Sequence, residues 1–166
     1  MNKSLSQVFA EDRYPYIAAV ALGSGASLKI RYRAFSDGQK IAAFEFMKER
    51  LTSLGLPGET ALRVLEGEKV EPEQLAEFDA AYAALGEDAA KQAQEAGALT
   101  RAFSLSQIIG SWSLLEGKDE HAIDDAVTPE NCLSLREDVK KAVETLAAQA
   151  QAPTEALSFF GQSPRF

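Results

Sequence analysis

The stretch that decides the fold is Ile108 to Leu135, IIGSWSLLEGKDEHAIDDAVTPENCLSL, which holds the only Trp, the only His and the only Cys of the chain. Trp112 with Leu114 and Leu115 reads as a structural anchor, because an indole flanked by leucines removes more apolar area from water than any other cluster in the sequence. From Glu116 to Asp125 the chain turns polar, with Glu116, Asp119, Glu120, Asp124 and Asp125 set against Lys118, and this segment reads as a solvated loop. Thr128-Pro129 then restarts regular structure. A threonine side chain accepts from an orphan amide of the first turn, and proline at the first helical position gives up an amide that had no partner. The stretch therefore predicts an apolar segment, a Trp anchor, an acidic loop and a capped helix, in that order.

Upstream, Tyr16 to Leu22 (YIAAVAL) is a short apolar run, Gly23-Ser24-Gly25 is a turn signal, and Leu28, Ile30 and Tyr32 alternate strictly, which predicts a β-hairpin. The opposite side of the second strand carries Lys29, Arg31 and Arg33. This basic ladder reads as the solvated face of an edge strand, with a grip on an acidic partner or phosphate as the other reading. Ser36 and Gln39 have capping-box spacing, and Ile41, Phe44, Met47, Leu51 and Leu54 recur at three and four residues, so a helix is expected from about Asp37 to Leu54. A short helix is expected over Glu59 to Leu65. Another begins at Pro72, with Leu75, Phe78, Tyr82 and Leu85 as its stripe. Residues 87 to 98 (EDAAKQAQEAGA) favour helix but offer no large apolar group, and 98 to 110 fits helix or strand, with helix preferred. Ser134 and Glu137 repeat the capping-box spacing ahead of Leu135, Val139, Val143 and Leu146. The fold expected is mainly α within an α+β class: an N-terminal β-hairpin followed by a helical domain of four to six helices.

In 166 residues with 46% apolar content there is material for one sizeable core. Residues 1–13 read as a flexible arm, 14–150 as a single α-rich domain with the hairpin, and 151–166 as a flexible tail. Trp112 is expected to be mostly buried, against the stripes of the helices opened by Ser36 and Ser134. Val8 and Phe9 in the arm, and Phe159 and Phe160 in the tail, are apolar groups outside any stripe and read as partner-binding residues.

A formal charge of −8 argues against nucleic acid and against anionic membrane surfaces, both of which need cations from the protein. No segment approaches the ~20 apolar residues that span a bilayer, and MNKSLSQVFAEDRYP lacks the apolar run of a secretory signal. A single cysteine excludes an intramolecular disulfide. No phosphate-binding glycine loop, paired-cysteine metal motif, HExxH or GxSxG elbow occurs. Cys132 reads as a small hydrophobe rather than a thiol activated by His121. The set Asp119, His121, Asp124 and Asp125 lacks the spacing, central glycine and terminal carboxylate of a calcium loop. No catalytic residue, cofactor or metal is expected, and no enzymatic activity.

The order of these elements is similar to that of a known family. A strand with IRYRAFSDGQK (Ile30 to Lys40) enters a helix, an alanine-rich helical middle follows, and then come IIGSWSLLEG (Ile108 to Gly117), an acidic segment and TPENCLSL (Thr128 to Leu135). Over Ile30 to Leu146 the chain resembles the tail assembly chaperones of long-tailed bacteriophages. It departs from their commonest pattern by a longer segment between Gly117 and Thr128. The resemblance implies a non-enzymatic protein of the host bacterial cytoplasm. Such a protein binds the long helical tape measure protein and recruits tail-tube protein, often with a frameshifted longer product; self-association is expected as well. On the residues alone, a phage or bacterial structural or adaptor protein without chaperone activity, and a small enzyme, stay open.

Overall fold

A computed structural model describes residues 13–160, with side chains described through residue 150. Four strands, β1 (Tyr16–Ala21), β2 (Ala26–Tyr32), β3 (Ile109–Glu116) and β4 (Asp119–Ala122), form one antiparallel sheet in the order β1-β2-β3-β4. Among the described residues there are six α-helices: α1 (Asp37–Ser53), α2 (Gly58–Leu65), α3 (Pro72–Ala84), α4 (Ala89–Ile108), α5 (Pro129–Leu133) and α6 (Glu137–Phe160). The expected N-terminal hairpin and helical domain are present.

The sheet is larger than the sequence suggested. The acidic segment expected as a loop makes a tight turn at Gly117-Lys118 and returns as β4, with Glu116 opposite Asp119. Gly117 takes a positive φ of 65°, a backbone conformation that glycine adopts without steric cost. All four β4 residues are exposed, so no apolar alternation marks the strand in the sequence. Because β3 pairs with β2, the basic ladder lies on an interior strand and not on an edge.

Two apolar clusters share α4. The first joins the inward side of the sheet (Val20, Leu28, Ile30, Tyr32) to Ala102, Leu105 and Ile108 of α4, Cys132 of α5, and Val139, Val143 and Ala147 of α6. The second gathers Leu51 of α1, Leu56, Ala61 and Leu62 around α2, Phe78 of α3 and Ala96 of α4. Alanine at positions 96 and 102 lets neighbouring elements approach the α4 backbone. Phe46 of α1 stacks on Phe103 of α4 with ring centroids 4.4 Å apart, which fixes the α1–α4 crossing between the clusters. Residues 98 to 108 are helical, as preferred from sequence. With no intervening loop, Ile109 closes α4 in an extended conformation and opens β3.

Three local expectations are corrected. Ile41 is 65% exposed, because the first turn of α1 turns Gln39 inward instead. The Gln39 Oε1 accepts from the Ser36 amide at 2.6 Å, and its Nε2 donates to the Gln107 carbonyl of α4 at 3.4 Å. Ser134 does not open the last helix. It closes α5, its amide donating to the Asn131 carbonyl at 3.2 Å, and α6 begins at Glu137. The trace of α6 continues to Phe160, beyond residue 150 where the domain was expected to end; the side chains of 151–160 lie outside the described residues.

Candidate functional site

Three residues of segments 108–117 and 128–135, Trp112, Thr128 and Asn131, form one hydrogen-bonded unit. Trp112 sits on β3 opposite Ile30 of β2. Its indole N–H donates to the Asp125 carbonyl at 2.7 Å, holding the segment after β4 against the sheet. One residue further on, the Asn131 Nδ2 donates to the Ala126 carbonyl at 2.8 Å. The Thr128 Oγ1 accepts from the Asn131 amide at 3.2 Å, as expected for an N-cap, and Pro129 occupies the first helical position. Trp112, Thr128 and Asn131 thus bind the loop 123–127 and the start of α5 into a single latch. Cys132, buried on α5, then joins the first core cluster. The position of Trp112 differs from expectation in two respects. It is half-buried, and it packs against the first cluster only, because the apolar stripe of the Ser36 helix belongs to the second.

A second feature is a trough along α4. Two apolar depressions share Phe35 as a wall. One, of about 300 Å³, is floored by Leu105 and Ile108 of α4 and by Ala147 and Ala148 of α6. The other, of about 390 Å³, lies between α1 and α2 and is lined by Ala43, Phe44, Met47 and Leu62. The polar rim of the first is already neutralised. The Arg101 guanidinium donates to both Glu144 oxygens, at 2.6 and 2.8 Å, and to both Glu137 oxygens, at 2.8 and 2.9 Å. Those hydrogen bonds hold the guanidinium charged and keep the Glu137 carboxyl below its ordinary range. What faces outward is aliphatic surface flanked by a closed ion cluster. Phe35 lies outside every helical stripe, although it falls within the IRYRAFSDGQK segment quoted for the resemblance.

The remaining candidates are dispersed. His121 is exposed on β4, its Nε2 3.5 Å from a Glu116 carboxylate oxygen, whereas Cys132 is fully buried. Burial pushes the Cys132 thiol up to about 11, with Lys140 opposing the shift. The two residues expected not to act together are separated between surface and core. Among the described residues, no three His, Cys, Asp or Glu side chains converge as a metal site would require. The basic ladder is used internally. Lys29 pairs with Glu120 at 2.7 Å, Arg31 donates to the Tyr14 carbonyl at 3.3 Å, and Arg33 donates to the Gln107 carbonyl at 2.7 Å while stacking over the Tyr14 ring. Of the residues expected to bind a partner, Val8 and Phe9 lie outside the described residues, and Phe159 and Phe160 fall in the backbone of α6 with their side chains outside the described ones. No helix among those described is long and apolar enough to cross a membrane.

Comparison with known protein families, with characterised proteins and with solved structures finds no match.

Proposed function

We propose that this protein is a tail assembly chaperone of a long-tailed bacteriophage, acting in the host bacterial cytoplasm. It holds apolar helical segments of the tape measure protein and brings tail-tube protein to them. The observation that carries the reading is the latch: three residues of the resembling segments, Trp112, Thr128 and Asn131, meet at one loop, the indole and the Asn131 side chain through its carbonyls and the Thr128 hydroxyl through the Asn131 amide. The trough beside Phe35 supplies a surface for the client. A helix laid in an apolar groove anchors through side chains spaced by three and four residues, and two depressions either side of one aromatic wall offer seats for such anchors. Distributed contacts of this kind release a client more readily than one deep pocket does. Val8, Phe9, Phe159 and Phe160 are proposed as further apolar contacts to the client.

The test is co-expression with a tape measure fragment from the same phage, reading how much fragment stays soluble and co-purifies. Ala148→Glu places a charge in the trough at an exposed helical position, so the fold should survive while capture falls. Deletion of residues 153–166 measures the contribution of Phe159 and Phe160. Failure of the unaltered protein to bind any tape measure fragment overturns the proposal. Binding without any gain in client solubility would replace chaperone by adaptor.

A further inference from the structure

Among the described residues, the outer edge of the sheet at β1 shows none of the devices that keep strand edges from pairing. Tyr16–Ala21 contains no charge, no proline and no bulge, and from Pro15 to Leu28 no charged residue occurs in a chain of net charge −8. Among the described residues no strand lies beyond it.

The direction of its backbone groups follows from two hydrogen bonds. The Leu22 amide donates to the Ala26 carbonyl at 3.0 Å, in line with the register that sets Ala21 opposite Ser27. The Arg33 amide donates at 3.1 Å to the Ile108 carbonyl, on the side of β2 away from β1. In an antiparallel ladder the bonding residues alternate, so the even-numbered residues of β1 exchange bonds with β2. Ile17, Ala19 and Ala21 therefore turn their N–H and C=O groups outward, and all three are exposed, Ile17 by 54%.

We propose that β1 pairs antiparallel with β1 of a second copy of this chain, about a two-fold axis at Ala19. That register sets Ala19 against Ala19 of the partner subunit and Ile17 against Ala21 of the partner subunit, each pair exchanging both of its bonds. Every outward group of the strand is then satisfied by its symmetry mate, and the edge is its own complement. The side chains agree. Ile17 lies beside a small residue, and Ala18 meets Val20 of the partner subunit on the inward face. Charge selects the same occupant, because two chains of like net charge approach most cheaply where both are uncharged. One ladder of this length buries less than the roughly 1,200 Å² typical of stable complexes, so the dimer forms and dissociates with concentration, at micromolar levels or above. This pairing does not rest on the chaperone reading.

The experiment is sedimentation equilibrium of the full chain from low to high micromolar concentration. Dimerisation is expected for the unaltered protein. Ala19→Pro removes one outward donor at the two-fold axis and leaves the bonds to β2 in place, so it should give a folded monomer by circular dichroism. The register has its own test: chains carrying Ile17→Lys and chains carrying Ala21→Glu should each dimerise poorly alone and recover a mixed dimer when combined. A monomer at every concentration overturns the proposal, as does a dimer that survives Ala19→Pro and shows no preference on mixing. A monomer that dimerises only once residues 1–12 are deleted assigns the edge to the N-terminal segment and equally overturns it.

Discussion

The same substitution, glycine to alanine, should act with opposite sign at two helical positions of this protein. Gly97 lies inside α4 with nothing within 4 Å of where a Cβ would stand. Gly97→Ala should therefore stabilise by about 0.5 to 1 kcal/mol, the backbone entropy that glycine forfeits in a helix. Gly58 is the buried first residue of α2, where it crosses the end of α1, and a Cβ there would stand 2.7 Å from the Lys48 carbonyl and closer still to the Thr52 hydroxyl. A carbonyl bound into α1 cannot rotate away as a side chain can, so the elbow between α1 and α2 must open. Overpacking of this kind costs about 1 to 3 kcal/mol, and the propensity gain at a helix end offsets only a small part. Net destabilisation of about 1 to 2 kcal/mol is expected for Gly58→Ala. The assay is urea unfolding followed by circular dichroism, comparing midpoints at constant slope. Adding Thr52→Ala removes one of the two obstacles and should recover only part of the loss, since the Lys48 carbonyl remains. A rise in midpoint for Gly58→Ala comparable to that of Gly97→Ala would refute the close approach of α1 and α2, and with it the wall that Leu62 gives the trough.

Trp112→Phe keeps most of the ring and deletes the donor to Asp125. A loss of about 0.5 to 1.5 kcal/mol is expected, with faster amide exchange confined to residues 123–131 as the readout that separates latch from core. Glu120, Glu137 and Asp138 are each held below their ordinary values of 4.5, 4.5 and 3.8, first by side-chain hydrogen bonds from Lys29, Arg101 and Arg136 respectively. Their contribution to stability is complete above those ordinary values and is lost as pH falls through the lowered ones. Thermal midpoints should change little from about pH 7 to pH 5 and fall below about pH 4, less steeply in high salt. Cys132, buried and with its thiol pushed up to about 11, should resist iodoacetamide in the folded protein at pH 8 and react in urea. His121→Ala should leave fold and client capture unchanged.

What the sequence made legible were features with a period or a punctuation mark. The hairpin of β1 and β2 announces itself through strict alternation and Gly23-Ser24-Gly25, and α1 through Ser36 and Gln39. Thr128-Pro129 marks the start of α5 to the residue. The signal failed where tertiary contacts replace local chemistry. Nothing in DEHA marks a strand, because β4 is held by pairing to β3 and by Glu120, whose carboxylate takes bonds from Lys29 and Ser113. Ser134 and Glu137 have the spacing of a capping box, yet α5 had already claimed Ser134 as its closing residue, and spacing alone does not tell an end from a beginning. Of the candidate site, the latch was visible as a motif. The trough was not, because its floor is made by Leu105, Ile108 and Ala147, which belong to helices far apart in sequence.

That division bears on how the protein would recognise a client. The latch spends its polar groups within the fold: the indole N–H and the Asn131 side-chain amide donate to backbone carbonyls, and the Thr128 hydroxyl oxygen accepts from the Asn131 backbone N–H. Buried or not, a donor already paired contributes little to binding, because a ligand must displace the existing bond to use it. Arg101 is likewise committed to Glu137 and Glu144, so the rim of the first depression has few free hydrogen-bonding groups, whereas Lys40, Glu66 and Thr100 line the second. Selectivity in such a surface comes from the shape of its lining, Phe35 with Ala147 and Ala148 in one depression and Phe35 with Phe44 and Met47 in the other. A chaperone built this way could keep the latch residues unchanged while altering a few trough side chains to follow its client. Exchanging those trough residues between two such proteins should therefore exchange their clients, whereas exchanging the latch should change stability alone.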